Sequence, residues 1–182
     1  MVTIVQKNNV ALREKSVDVA RSEITSPRTK KIIAEMKRAL DGEPDGVAIA
    51  APQIGENVRI FVVSEKVFEL SDNFAERREE QKQLEQKKYG HLVFINPKLK
   101  KLSRQKRWLE EGCLSVRWLY GKVNRSIKGT VRAYDEKGKL FERGASGLLA
   151  QAFQHEIDHL EGILFIDKAK EIREMHPEDL TP

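Results

Sequence analysis

Apolar residues recur at helical spacing in two segments of the chain. The first segment follows Ser26-Pro27, where the serine can cap a helix and the proline suits its first turn; its apolar face consists of Ile32, Ile33, Met36 and Leu40. The second segment begins after Ser146, which can also cap, and its shared face consists of Leu148, Ala152, His155 and His159. Gly162 stands where a glycine commonly ends a helix. The pattern therefore predicts one helix near each end of the chain.

Between these helices the pattern is typical of strands. Residues 58–64 (VRIFVVS) and 91–102 (HLVFINPKLKKL) contain short apolar runs that predict buried strands. Residues 127–145 alternate on both sides of Glu136-Lys137-Gly138, which predicts a β-hairpin. A helix, several strands and a second helix, in this order, predict an α+β fold with mainly antiparallel sheets.

The length of the chain favours one domain. We predict that residues 1–182 form a single domain with a core of its own. Residues 69–90 are charged nearly all round, so we expect an exposed insertion without a catalytic role. Residues 171–182 (EIREMHPEDLTP) are predicted to form a polar C-terminal tail with little order.

Composition and charge narrow the function classes. No apolar run approaches the length of a membrane span, and the N-terminus lacks the features of a signal peptide, so we expect a bacterial-type cytoplasmic protein without a membrane partner. The net charge of +5 permits a transient contact with RNA or the ribosome. Because no dense basic tract stands out, we attribute most of this charge to solubility. The absence of a nucleic-acid motif argues against DNA binding.

Candidate chemistry lies in the C-terminal helix, where residues 154–159 read QHEIDH. His155 and His159 are four residues apart, so their imidazoles lie on one helix face and can bind one ion. Glu156, next to the first histidine, can take a proton from a water at that ion. This HExxH arrangement predicts a metal-dependent hydrolase, although a helix with two ordinary histidines has the same sequence.

The third ligand separates the possible classes of metallohydrolase. In HExxHxxGxxH peptidases a third histidine follows, but here Phe165 occupies that position and cannot bind a metal. Glu178, or less suitably Glu174, can serve as the downstream glutamate of another peptidase class. Cys113, the only cysteine in the chain, offers a thiolate and leaves a fourth position open. Loss of Cys113 without loss of metal would favour a peptidase that cuts internal bonds.

Three segments together resemble the peptide deformylase family. They are GVAIAAPQIG at 46–55, EGCLS at 111–115 and QHEIDH at 154–159, and they occur in the family's order. The resemblance extends over nearly the whole chain apart from residues 69–90 and the last dozen residues. It implies mainly antiparallel sheets packed around a central, metal-binding HExxH helix. It also implies removal of the N-terminal formyl group from formylmethionine of newly made polypeptides, with release of formate.

The resemblance also assigns roles to individual residues. The implied metal ligands are Cys113, His155 and His159, with Fe(II) expected in the cell and Zn(II), Ni(II) or Co(II) as alternatives. Glu156 is the implied base and then acid, while the Gln53 amide and the Leu114 N–H stabilise charge on the formyl oxygen. The candidate substrate-binding residues, for which core packing or a simple turn is an equal alternative, are Gly46, Val47, Ala48, Leu109, Gly112, Leu148 and Ala152.

A second group of residues is expected to support the site rather than to react. Glu111 and Arg125 match a charge pair that braces the cysteine loop in the family, and a weak surface pair is the alternative. Asp158 points away from the ligand face, where it orients a histidine or is solvated; we favour a structural role. The chain departs from the family at Ala48, where a glycine is usual, and at residues 117–120 (RWLY), where a proline is common. These departures concern the substrate groove.

A further alternative function for the whole chain is that of a basic ribosome- or RNA-binding protein with a vestigial site.

Overall fold

The computed structural model describes residues 2–69 and 90–176 of the chain, apart from the side chain of residue 69. The predicted insertion at 69–90 therefore lies almost entirely outside the described residues. No helix in the described part is both long and apolar enough to cross a membrane. The helices are α1 (Pro27–Asp41), α2 (Lys66–Glu69) and α3 (Gly147–Leu160). The strands are β1 (Ala48–Ala50), β2 (Ile60–Val63), β3 (Leu92–Leu102), β4 (Lys106–Gly112), β5 (Leu119–Ser126), β6 (Lys128–Tyr134), β7 (Leu140–Ser146) and β8 (Lys170–Glu174).

The strands form two antiparallel sheets, which confirms the predicted α+β class. One sheet has the order β1-β2-β3-β6-β7, and the other has the order β4-β5-β8. All six pairs of neighbouring strands in these two sheets are antiparallel, the β6–β7 hairpin among them. The hairpin turns at Gly138, whose φ of 76° is readily adopted by glycine.

Both predicted long helices are confirmed, but their N-terminal caps differ. The Ser26 side chain accepts a hydrogen bond from the Thr29 N–H, as expected of a helix cap. Ser146 occupies the corresponding position of α3, but its side chain makes no capping hydrogen bond. At the C-terminal end of α3 the Gly162 and Ile163 N–H groups donate to the carbonyls of His159 and Asp158. This pair of bonds is a Schellman motif, and it requires the left-handed φ of 73° at Gly162.

The core places α3 between the two sheets. The apolar face of α1 covers one face of the five-stranded sheet, and α3 covers the other through Phe153, Ile157 and Leu160. Helix α3 also contacts β5 of the second sheet. Gln154 fixes that contact, because its amide accepts from the Ser126 N–H and donates to the Ser126 carbonyl at 3.0 and 2.9 Å. The histidine helix is therefore held on both sides.

The C-terminal segment is more ordered than the sequence suggests. Residues 170–174 form the edge strand β8, which pairs with β5, although all five side chains are exposed. The expectation of poor order therefore does not hold for residues 171–174, although their side chains are polar or exposed as expected of a polar tail. Residues 177–182, including Glu178, lie outside the described residues.

Candidate metal centre

Three potential ligands meet where the two sheets approach α3. His155 and His159 lie one turn apart on α3, with their ring centroids 5.0 Å apart. Cys113 begins the loop between β4 and β5, and its Sγ lies 3.2 Å from the His159 Nε2. One ligand atom from each of the three residues lies within 4.8 Å of the other two. The structure thus brings together the three residues that the sequence motifs single out.

The donor set fits one divalent ion. A thiolate with two imidazoles suits several first-row metals, and three protein ligands leave a position for water or substrate. His155 Nδ1 lies 2.9 Å from Glu111 Oε2, so its Nε2 remains for a metal. Burial lowers the pKa of His159 well below its ordinary value, which favours the neutral imidazole that binds metals. His155 has a raised pKa, because hydrogen bonds with Cys113 and Glu111 outweigh the effect of burial. The same anionic neighbours favour a cation at this place.

Glu174, the alternative ligand that lies within the described residues, is not part of this cluster, and Glu178 lies outside them. Glu174 lies in β8, is exposed and pairs with His176 at 3.0 Å. Phe165 is buried and packs against the His155 ring at a centroid distance of 6.3 Å, so the third histidine position of the peptidase pattern holds a packing residue instead.

A buried ion network holds His155 in place. Arg125 Nε and Nη2 donate to the two oxygens of Glu111 at 2.7 and 3.0 Å, and Arg125 Nη1 donates to Asp158 at 2.6 Å. The Arg125 and Glu111 side chains are 5% and 3% exposed, so this is not the weak surface pair that was the alternative. Asp158 also accepts from Lys168. It therefore orients Arg125 rather than a histidine, which fits the structural role expected of it.

The two carboxylates near the ligands have opposite pKa shifts. Burial alone would raise the pKa of Glu111, but hydrogen bonds from His155 and Arg125 outweigh it and lower the pKa to about 2. Burial raises the pKa of Glu156 to about 7, and Glu156 Oε2 has no hydrogen-bond partner among the described residues. Glu111 is thus a permanent anion, while Glu156 is suited to accept and release a proton near neutral pH.

A short 3-10 helix at Ala51–Ile54 brings Gln53 to the cysteine. The Gln53 Oε1 accepts from the Ala50 N–H at 2.8 Å, which fixes the orientation of the amide. Its Nε2 then lies 3.5 Å from Cys113 Sγ and 3.2 Å from Ser115 Oγ. Leu114 is buried and lines a cleft beside the ligands. Ser115 belongs to the quoted EGCLS motif, but its contact with Gln53 could not be predicted from the sequence.

A cleft of about 280 Å³ opens beside the ligands. Six of the seven candidate substrate residues line it: Gly46, Val47, Ala48, Gly112, Leu148 and Ala152. Leu109 does not line it. Leu109 is half-buried in β4, three residues before Gly112, and the part of β4 that lines the cleft begins only at Glu110. Gln151, which the motifs did not single out, lines the cleft and donates to the Glu110 carbonyl at 2.7 Å.

Both departures from the family pattern lie at this cleft. Ala48 is buried in β1 and is one of the residues that line the cleft. Residues 117–120 all line the cleft, and Arg117 forms ion pairs with Glu43 and Asp45, which precede β1. The Arg117 pKa is raised because these ion pairs outweigh the effect of burial. Arg117 thus ties the loop after Cys113 to the loop before β1.

Comparisons with known proteins agree with this geometry. Peptide deformylase 1A, chloroplastic, of Solanum lycopersicum is 40% identical over 92% of this chain and 59% of its own length. A peptide deformylase of Desulforudis audaxviator (strain MP104C) is 36% identical over 93% of this chain and 94% of its own length. The crystal structure of the Met-Ala-Ser-bound class I type b peptide deformylase from Acinetobacter baumannii superposes with a TM-score of 0.76. It is 26% identical and covers 92% of this chain and 98% of that chain.

The chain spans only 59–60% of the length of the plant relatives it matches. The family model described as polypeptide deformylase matches residues 1–175, which is nearly the whole chain. Together with the 36% identical bacterial relative, this match identifies the family. The chain belongs to the polypeptide deformylase family.

Proposed function

We propose that this chain removes the N-terminal formyl group from formylmethionine of newly made polypeptides and releases formate. The observation that carries the proposal is the position of Cys113 Sγ, 3.2 Å from His159 Nε2 and beside His155. The Acinetobacter baumannii relative is described as bound to Met-Ala-Ser, a peptide that begins with methionine, which supports such a product here.

Cys113, His155 and His159 would hold the metal. A bound divalent ion supplies Lewis acidity, which lowers the pKa of a water and polarises the formyl carbonyl. We propose Fe(II) as the ion in the cell, with Zn(II), Ni(II) or Co(II) as substitutes in vitro. Glu111 fixes the tautomer and orientation of His155, and Arg125 fixes Glu111.

The proton steps belong to Glu156. Its pKa of about 7 lets the carboxylate accept a proton from water and then, as the acid, donate it to the departing amine nitrogen. Negative charge develops on the formyl oxygen when the deprotonated water attacks the formyl carbon. The Gln53 Nε2–H₂ and the Leu114 N–H are the proposed donors to that oxygen, and fixed donors of this type need no reorganisation during the reaction.

The cleft is the proposed site for the methionine side chain and the first residues after it. Val47, Leu148 and Ala152 supply apolar surface, whereas Gly46 and Gly112 allow the peptide backbone to come close. Leu109 has no proposed contact, because it does not line the cleft. We further propose a bacterial-type cytoplasmic protein with one domain over residues 1–182, which makes transient contact with the ribosome where its substrates emerge.

The decisive assay measures formate. The protein is purified without air, loaded with Fe(II) or Ni(II), and given formyl-Met-Ala beside acetyl-Met-Ala. We expect formate from the first peptide and no hydrolysis of the second. Cys113→Ala, compared with wild type for bound metal per chain and for formate release, should lose both. Hydrolysis of internal peptide bonds, or metal retained with unchanged affinity by Cys113→Ala, would contradict the proposal.

A further inference from the structure

The turn between β3 and β4 concentrates positive charge. Residues 91–109 contain no aspartate or glutamate, and their Lys and Arg residues all fall between 98 and 107. Lys128, at the start of β6, lies beside this turn, because its N–H donates to Ser103 Oγ and its carbonyl accepts from the Ser103 N–H. We call these seven side chains the basic surface: Lys98, Lys100, Lys101, Arg104, Lys106, Arg107 and Lys128.

The basic surface is exposed and uncompensated. All seven residues are exposed to solvent. Among residues 2–69 and 90–176, no carboxylate lies within ion-pair distance of any of the seven side chains. By contrast, Arg13, Arg117, Lys122 and Arg173 on other surfaces each have an acidic partner.

The strand register brings like charges together. Lys98 lies directly opposite Arg132 in the β3–β6 pair, while Glu142 lies opposite Arg132 on its other side, in the β6–β7 pair. Two residues later, the register shifts between Leu99 and Lys101, so that Lys100 is the extra residue of a β-bulge. Within residues 2–69 and 90–176, no ion pair uses the seven charges of the basic surface.

The same surface contains an open depression of about 620 Å³. The Lys101 and Lys128 side chains line it together with three hydroxyl residues, Ser103, Thr130 and Ser146. Ammonium groups with neighbouring hydroxyls are the side chains that contact phosphate oxygens in nucleic-acid complexes. The depression therefore offers a phosphate position within a wider row of cations.

We propose that the basic surface binds the phosphate backbone of a folded RNA. The inference deepens the proposed function and rests on it in one respect: the proposed substrate is made on an RNA-rich particle. Strand β4 runs from Lys106 at the basic surface to Gly112 at the cleft, and six steps of about 3.4 Å separate them by about 20 Å. RNA held at one end of β4 leaves the cleft at the other end open to a peptide.

The test compares two variants of equal net charge. The surface variant carries Lys101→Gln, Arg104→Gln and Lys128→Gln. The control variant carries Lys7→Gln, Lys30→Gln and Lys139→Gln, three exposed lysines away from the basic surface. Binding of a fluorescein-labelled 20-base-pair RNA duplex is measured by anisotropy from 50 to 200 mM KCl. Vesicles of phosphatidylglycerol and phosphatidylcholine serve as the membrane probe.

The surface variant should bind RNA at least about tenfold more weakly than the control variant at 50 mM salt. Its slope of log K against log salt should fall by about 2–3, since each lost phosphate contact removes about 0.9. Equal affinities and slopes in the two variants overturn the proposal. Tighter binding to vesicles than to RNA overturns the assignment to RNA.

A second measurement uses the unmodified protein and does not depend on the variants folding. Lysine acetylation, read by mass spectrometry with and without the RNA duplex, should show protection of Lys101 and Lys128 but not of Lys7 and Lys139. Equal protection of all four contradicts the proposal. Release of formate from formyl-Met-Ala should be the same in both variants, and this separates the two conclusions. A protein that releases formate but shows no surface-dependent RNA binding contradicts only this inference, whereas one that binds RNA but releases no formate contradicts only the proposed function.

Discussion

Replacing Arg125 by methionine should destabilise the protein and weaken its hold on a metal. Methionine nearly preserves the volume but removes the three charge-assisted hydrogen bonds to Glu111 and Asp158, at 2.7, 3.0 and 2.6 Å. The Glu111 side chain is only 3% exposed, so its carboxylate would stay buried with His155 and a longer hydrogen bond from Gln151, at 3.4 Å, as its remaining partners. Removing one partner of a buried ion pair costs about 3–5 kcal/mol.

The expected loss is measurable by urea unfolding and by thermal unfolding, both at pH 7 and fixed metal concentration. For a chain of this size, 1 kcal/mol shifts the melting temperature by about 2–4 °C, so we expect a fall of about 6–20 °C. Metal affinity should fall about 10- to 100-fold, because Glu111 no longer holds His155 in one orientation. If Arg125 only stabilised the fold, the metal affinity of the folded variant would equal that of the wild type.

Arg13→Met is the matched control. Arg13 pairs with Asp167 at 2.5 Å, but the two side chains are 45% and 37% exposed, so the loss should be below about 1 kcal/mol. Adding Glu111→Gln to Arg125→Met should recover part of the stability, because the buried charge is removed. If Arg125→Met and Arg13→Met lose the same small amount, the network does not stabilise the protein as described.

Three further predictions test other parts of the structure. Gln53→Ala should lower kcat about 10²- to 10³-fold with little change in KM, measured by formate release, because it removes a donor to the formyl oxygen; an unchanged kcat would contradict this role. Gly162→Ala should lower the free energy of unfolding in urea by about 2 kcal/mol or more, because φ is 73° and the new Cβ would lie 2.6 Å from the Arg13 carbonyl oxygen. Gly55→Ala is the control and should cost less, because its φ of 82° is similar but a Cβ there meets open space. Burial alone would raise the pKa of Asp167, but a hydrogen bond from Arg13 outweighs it and lowers the pKa below 3.8. The ionised Asp167 therefore stabilises the fold fully above pH 3.8, and this contribution disappears as the pH falls through the lowered pKa. Asp167→Asn should therefore flatten the acid side of the stability curve, and an unchanged curve would contradict the ion pair.

Local patterns predict the elements that carry the site, because those elements obey local rules. The serine cap and apolar face of α1, the turn at Gly138 and the Gly162 end of α3 are all confirmed. The spacing of His155 and His159 is likewise a property of one helix.

Features that depend on distant partners could not be predicted in the same way. Strand β8 has no apolar pattern, and the backbone of β5 supplies its hydrogen bonds. The third member of the buried network, Asp158, lies 33 residues from Arg125, and the sequence suggested a histidine or water as its partner. Six members of the basic surface lie close together in the sequence at 98–107, so the expectation of no dense basic tract is wrong there, but Lys128 joins them only through the pairing of β3 with β6. Tertiary pairing, rather than local propensity, decides each of these features.

The origin of the three ligands has a mechanical consequence. Two come from the helix that covers the five-stranded sheet, and the third comes from the loop between two strands of the other sheet. An ion bound to all three would cross-link the two halves of the molecule, and its binding free energy would add to the cohesion between them. The free energy of unfolding should then rise with free metal concentration, by about 1.4 kcal/mol for each tenfold excess over Kd. The melting temperature would thus report how fully the three ligands are occupied at a given free metal concentration.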